Sequence, residues 1–205
     1  MPRPRTLHVH PVSERASRAA HAFAEACRDA ARRHGFELAA APGSSLVALG
    51  PCLRRKLAPA EWSAPRVGTL IFHPSALPLH RGPDAIRWTL AARERVSASS
   101  WFWCDDGLDT GPVCEQELVV LDPADDARAA YERRFIPAAL RALDRALRGI
   151  ADGAPRRVPQ EDRLATYESF LPRGSSETSP AAGAPSAAEP GPAAAAAAAS
   201  RFRAA

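Results

Sequence analysis

Lysine is nearly missing from this chain. Of the 27 basic residues among 205, only Lys56 is a lysine. The surplus of arginine, alanine and proline reads as a habit of composition, and a net charge of +4 is mild. No run of basic residues is interleaved with aromatics, so the stacking, cationic groove that a nucleic acid needs has no counterpart. Nucleic acid is therefore not an expected partner, whereas an anionic small molecule suits the charge. Long apolar runs are missing too: none approaches the roughly 18 residues of a membrane span, and no membrane association is expected. The Arg-rich opening MPRPRTLHVHPVSERASR has no apolar centre and does not read as a secretory leader. Cysteine is scarce. The four present (Cys27, Cys52, Cys104, Cys114) form no CxxC pair and read as reduced, buried thiols of a cytoplasmic protein. A G-x-G-x-x-G after the first strand and a G-x-S-x-G around Ser75 are both missing, so neither dinucleotide binding nor a nucleophile elbow has local support. His8 and His10 alternate on one strand without a third ligand, which reads as plain strand chemistry, and no metal is expected.

What is there is an alternation of strands and helices. TLHVHPV is a strand ended by Pro11, and Ser13 is placed to cap a helix running to His34, with Gly35 as its stop. SLVALG (45–50) is a fully apolar strand, as in a parallel sheet covered on both faces, and GTLIFH (68–73) is another buried strand with His73 at its carboxyl end. A short helix is predicted at 58–62, and Gly82-Pro83-Asp84 opens another. SSWFWC (99–104) is a strand, and CEQELVVL (114–121) a further edge strand. Residues 124–150 carry a helical apolar period that Pro137 kinks or divides. The order predicts an α/β domain with a largely parallel twisted sheet and helices on both faces. The domain spans 1–172. Residues 173–205 are an Ala/Pro-rich tail that buries almost nothing and is expected to be disordered.

In such sheets ligands sit beyond the carboxyl ends of the strands. Three segments leave strands there: GPCLRR, HPSALP and DDGLDTG. His73 stands at a strand end and is stiffened by Pro74 and Pro78; Asp105, Asp106 and Asp109 are carboxylates within the same edge. A carboxylate beside an imidazole orients it and raises its pKa, as general acid work or oxyanion stabilisation requires. By itself the pattern fits a structural pair equally well. Trp101, Phe102 and Trp103 read as core, Arg81 as a loop anchor and the run RRK at 54–56 as a solvated face.

Taken together, HPSALPLHRGPDAIRWTL, WFWCDDGLDTG and APRRVPQEDRLATYE (154–168) resemble the folate-dependent formyltransferase family. They are most like the hydrolase domain of 10-formyltetrahydrofolate dehydrogenase, and also similar to the amino-terminal domain of methionyl-tRNA formyltransferases. The resemblance implies a Rossmann-like formyltransferase fold and an enzyme with 10-formyltetrahydrofolate as formyl donor, a small-molecule acceptor or water, and no metal. It carries the catalytic pair onto His73 and Asp109. It carries the folate pocket onto Cys52, Leu53 and Leu57 in one loop and Asp105, Asp106, Gly107 and Leu108 in another. There are three departures. Transferase members hold Asn where this chain has Ile71, and losing an oxyanion donor costs about 2.7–4 kcal/mol in comparable sites. The dehydrogenase's hydrolase domain is apolar at that position, so Ile71 fits that branch. The family's opening strand, glycine-bearing turn, helix and second strand are not recognisable, and TLHVH resembles the third strand. The first strand–helix–strand unit therefore reads as missing, with a partner or an oligomer expected over the exposed edge. Finally, no carboxy-terminal tRNA-holding domain is visible. A non-catalytic folate- or partner-binding descendant and a methionyl-tRNA formyltransferase-like activity stay as alternatives.

Overall fold

Apolar runs with few charges become strands here, and alanine-rich stripes become the helices that cover them. A computed structural model describes residues 4–171; the predicted tail lies outside the described residues. The elements are β1 (Thr6–Val9), α1 (Arg18–Arg33), β2 (Glu37–Leu38), β3 (Val47–Gly50), α2 (Pro59–Trp62), β4 (Gly68–His73), α3 (Ala85–Ala91), β5 (Val96–Trp103), β6 (Val113–Val120), α4 (Ala127–Ala130) and α5 (Ile136–Ala151). Six strands form one sheet in the order β2-β1-β3-β4-β5-β6. The pairings β1/β2, β1/β3 and β3/β4 are parallel; β4/β5 and β5/β6 are antiparallel. The expected α/β architecture is therefore present, with β6 at the edge as read.

The front of the chain adds one strand to the reading. β1 enters the middle of the parallel half, α1 follows, and β2 returns beside β1. β2 escaped reading because it is only two residues long and both are exposed. The turn between β1 and α1 carries no glycine, so the family's glycine-bearing opening turn has no counterpart there. The cap of α1 also differs: Ser17, not Ser13, accepts from the Ala20 N–H.

One face of the sheet holds the main core. The stripe Ala20, Phe23, Ala24, Cys27, Ala30 and Ala31 of α1 packs beside the alanine- and leucine-rich face of α5. Small side chains let both helices approach the sheet closely. Phe23, Phe72 and Trp101 form an aromatic cluster, with Phe23 and Phe72 edge to face at 5.2 Å; each such pair contributes about 0.5–1.5 kcal/mol beyond area burial. Trp101 Nε1 donates to the Ala139 carbonyl of α5 at 2.9 Å. Pro137 divides the last helix as expected, but by a wider turn rather than a break. Residues Tyr131–Phe135 are π-helical, with the Ile136 N–H reaching back to the Tyr131 carbonyl. Proline lacks the N–H that would bond four residues back, and a local π-turn accommodates the loss.

Candidate active site

The second face of the sheet carries the polar residues. Ile71 pairs with Phe102 and His73 with Ser100, so alternation places Ile71 and His73 on the side away from Phe72. His73 ends β4, and the loop after it is tied down at several points. Ser75 Oγ donates to the Leu79 carbonyl, Ser100 Oγ to the Ser75 carbonyl, and Gln116 Nε2 to the Leu77 carbonyl. The stiffness read from the prolines is therefore reinforced by hydrogen bonds to β5 and β6.

The route by which the Asp loop arrives corrects the sequence reading. Because β5 is antiparallel to β4, DDGLDTG does not leave the same end of the sheet as GPCLRR and HPSALP. Cys104 N donates to the Thr69 carbonyl at the start of β4, about 13 Å from its end at the usual strand rise. The loop then runs back beside β4 until Asp109 reaches His73. Gly111 closes it, since a Cβ there would lie 1.8 Å from the Trp103 carbonyl oxygen.

The predicted pair does meet. His73 Nδ1 lies 3.6 Å from Asp109 Oδ2, and the two side chains are 8% and 13% exposed. His73 Nε2 lies 2.7 Å from the His80 carbonyl oxygen. A carbonyl can only accept, so Nε2 carries the hydrogen and Nδ1 is the nitrogen free to take a proton, facing Asp109. Asp109 Oδ2 also accepts from the Gly82 N–H at 2.8 Å. Gly82 has φ +99°, and a Cβ on it would sit 2.5 Å from the Glu168 carbonyl oxygen, so glycine is required there.

Two residues without a predicted role hold this geometry. Gln160 Nε2 donates to the carbonyls of Asp109 and Gly111 at 2.9 and 2.7 Å, and its Oε1 accepts from Arg81 Nε and Nη2. Arg81 also pairs with Asp162 at 2.8 Å, so it is the loop anchor it was read as. Asp109 itself has φ +57°, a left-handed conformation that costs a non-glycine residue energy and must be enforced by its surroundings. His80 is the second. Burial pushes its pKa down, but the carboxylates of Glu168 and Glu94 outweigh this and raise it to about 9. Gln160 lies far along the chain from the atoms it holds, whereas His80 is only 7 residues from His73. Gln160 was visible only inside the closing motif, which gave it no role.

The loops expected to cradle folate also come together. Lys56 Nζ donates to the Asp106 carbonyl and stands 3.7 Å from its carboxylate, bridging the Cys52–Leu57 and Asp105–Leu108 loops. Leu57 is buried and Leu53 half-buried, while Leu108 is 43% exposed at the rim. Asp105 is a turn-former, accepting from the Gly107 N–H and Thr110 Oγ1. Cys52 Sγ contacts Tyr131 Oη and the Ala20 carbonyl, and burial raises its pKa. Burial likewise pushes Cys104 up to about 11 and Cys114 up to about 12, so these thiols are poor nucleophiles. His8 and His10 share a face, rings 5.1 Å apart. Among the described residues no group of three His, Cys, Asp or Glu side chains is placed to hold a metal ion, and no helix is long and apolar enough to cross a membrane.

Comparison with known proteins gives this arrangement its family. The profile of the formyl transferase family matches residues 5–147, and the chain belongs to that family. The human mitochondrial 10-formyltetrahydrofolate dehydrogenase is 42% identical over 116 residues, covering 57% of this chain but only 13% of that protein. This chain therefore corresponds to a small part of that relative. HypX from Aquifex aeolicus, solved with tetrahydrofolic acid, superposes with a TM-score of 0.68 at 17% identity, covering 82% of this chain and 30% of that one. PseJ from Anoxybacillus kamchatkensis, a formyltransferase solved with a formamido nucleotide-sugar and tetrahydrofolate, gives a TM-score of 0.64 at 19% identity over 81% and 86% of the chains. At these identities the two structures establish the shared fold.

Proposed function

We propose that the chain binds 10-formyltetrahydrofolate and passes its formyl group to a small acceptor or to water, with His73 and Asp109 as the catalytic pair. The observation that carries this reading is the approach of His73 Nδ1 to Asp109 Oδ2, on loops drawn together from separate parts of the chain. The acceptor attacks the formyl carbon, giving a tetrahedral intermediate with a negative oxygen. The acceptor's proton passes by way of Asp109, directly or through water, to His73 Nδ1. It then goes to the departing N10 of tetrahydrofolate as the carbon–nitrogen bond breaks. The imidazolium formed in between faces the Asp109 carboxylate, which stabilises it, and its charge stabilises the oxyanion.

Cys52, Leu53, Leu57, Asp105, Asp106, Gly107 and Leu108 form the proposed folate cradle, apolar groups against the pterin faces and backbone groups on its edge. Lys56 and Asp106 are both well exposed, so opening their bridge to admit the pterin costs little, an exposed ion pair being worth about 0–1 kcal/mol. Ile71 supplies no polar donor beside His73, which favours water over an amine as acceptor.

The near-complete burial of His73 and the engagement of its Nε2 favour one second reading, a folate-binding descendant without turnover. Release of tetrahydrofolate from 10-formyltetrahydrofolate, with and without candidate amines, separates the two. Turnover lost in His73→Asn and Asp109→Asn supports catalysis by the pair, general acid–base groups being worth about 10²–10⁴-fold. Binding of a stable folate analogue with no turnover refutes it.

A further inference from the structure

His80 occupies an unusual position. Its φ is +55°, in the left-handed region, although it is neither glycine nor asparagine. Such a conformation persists only where surrounding contacts over-determine it. Three of them do. Its N–H donates to Thr166 Oγ1 at 2.8 Å. Its Nε2 lies 2.9 Å from Glu94 Oε1 in a hydrogen-bonded ion pair. Its Nδ1 lies 3.1 Å from Glu168 Oε1, off the N–H axis, so that contact is chiefly electrostatic. The ring is buried, and what emerges toward the site is the carbonyl oxygen, 2.7 Å from His73 Nε2.

We propose that His80 is a positioning residue for formyl transfer: Glu94 and Glu168 grip its ring, and its carbonyl thereby holds the hydrogen of His73 on Nε2 and turns Nδ1 toward Asp109. This rests on His73 being the catalytic imidazole. The two tautomers of a neutral imidazole are close in energy in water, and the hydrogen bond made by one nitrogen decides which is present. Without an acceptor fixed at Nε2, His73 can carry its hydrogen on Nδ1 instead. It then points a donor at Asp109 and cannot accept a proton there. The grip also ties the site to Glu94 beyond α3 and to the closing segment through Glu168 and Thr166, two segments far apart in the chain that converge on one residue.

The test uses His80→Asn, because asparagine tolerates a positive φ but cannot reach both carboxylates as a cation. The variant Glu94→Gln/Glu168→Gln loosens the grip while keeping His80. The ring nitrogen resonances of His73 report which nitrogen bears the hydrogen, independently of turnover. The expected result is an Nε2–H signature in the unaltered protein and a mixed signature in both variants. Turnover number should fall about ten- to a hundredfold, the scale of a small misplacement, with KM for the formyl donor nearly unchanged. An unmoved His73 signature in either variant, folded by circular dichroism, overturns the proposal. Absence of turnover in the unaltered protein refutes the catalytic reading of His73 separately, and the ring signature decides the positioning claim in both cases.

Discussion

Replacing Gln160 by leucine removes four hydrogen bonds while keeping nearly the same volume. Two are donated to the carbonyls of Asp109 and Gly111, and two are accepted from Arg81. A net contribution of about 0.5–1.5 kcal/mol per bond gives roughly 2–6 kcal/mol. Arg81 keeps Asp162 at 2.8 Å, which places the expected loss in the lower part of that range, at about 2–4 kcal/mol. For a domain of this size that corresponds to a fall in melting temperature of roughly 4–16 °C. Gln160→Glu separates the two halves of the residue. Its carboxylate still accepts from Arg81, but it has no hydrogen for the Asp109 and Gly111 carbonyls and repels both. It should therefore keep more stability than Gln160→Leu yet lose as much turnover. Thermal denaturation followed by circular dichroism, with tetrahydrofolate release measured on the folded protein, reads both quantities. If Gln160→Leu melts within a degree or two of the unaltered protein, the bonds are not worth what is assigned to them. If it melts low but turns over normally per folded molecule, Gln160 supports the fold and not the seating of Asp109.

Three other outcomes follow from the same geometry. His80 has its pKa raised from 6.5 to about 9, so its contribution to stability is full below about pH 6.5 and is lost as pH rises through about 9. His10, lowered to about 4 by burial first and by its neighbour His8 next, acts in the opposite direction: the unfolded chain takes up a proton that the folded one refuses, and stability falls as pH drops from 6.5 toward 4. Denaturation midpoints across that span should show both limbs, with His80→Asn flattening the alkaline limb and His10→Gln the acid one; an unchanged alkaline limb in His80→Asn contradicts the assignment. Gly111→Ala forces a Cβ against the Trp103 carbonyl and should cost about 1–3 kcal/mol, whereas Gly43→Ala, with nothing within 4 Å, should melt normally. Ile71→Asn places a donor beside His73 and should raise the ratio of formylated amine to free formate; an unmoved ratio dissociates that position from acceptor choice.

The fold was legible where burial is two-sided and opaque where it is not. β3 is wholly apolar and β4 is apolar but for Thr69 and His73, and their bounds are close to those read from the chain. β2 is two exposed residues, held in place by pairing with β1 and by nothing in its own pattern. Strand direction is equally hidden, because a buried strand alternates its side chains in the same way whichever way it runs. The segment between β4 and β5 is long enough for a parallel crossover, so its length could not reveal the antiparallel turn. That single reversal is what moved the departure of the Asp loop to the other end of the sheet.

The site divides along a similar line. His73 stood out as a proline-stiffened imidazole at a strand end, but its own residues left Asp105, Asp106 and Asp109 equal as partners, and only the resemblance of the DDGLDTG motif to the family singled out Asp109. Their supports were not legible. Gln160 acts on Asp109, and Glu168 on His80, across long stretches of the chain, and no local period or spacing encodes such a contact. The positive φ of His80 and Asp109 was not read either: Asp and His adopt a left-handed backbone more often than most residues, but far less often than glycine. The groups that would do the chemistry are thus local features of the sequence, while the strain that aims them is imposed by the closing segment. Removing residues 159–171 should for that reason release both φ values and abolish turnover before it unfolds the sheet. A shortened chain that still turns over at full rate would show that His73 and Asp109 are aimed by their own loops alone.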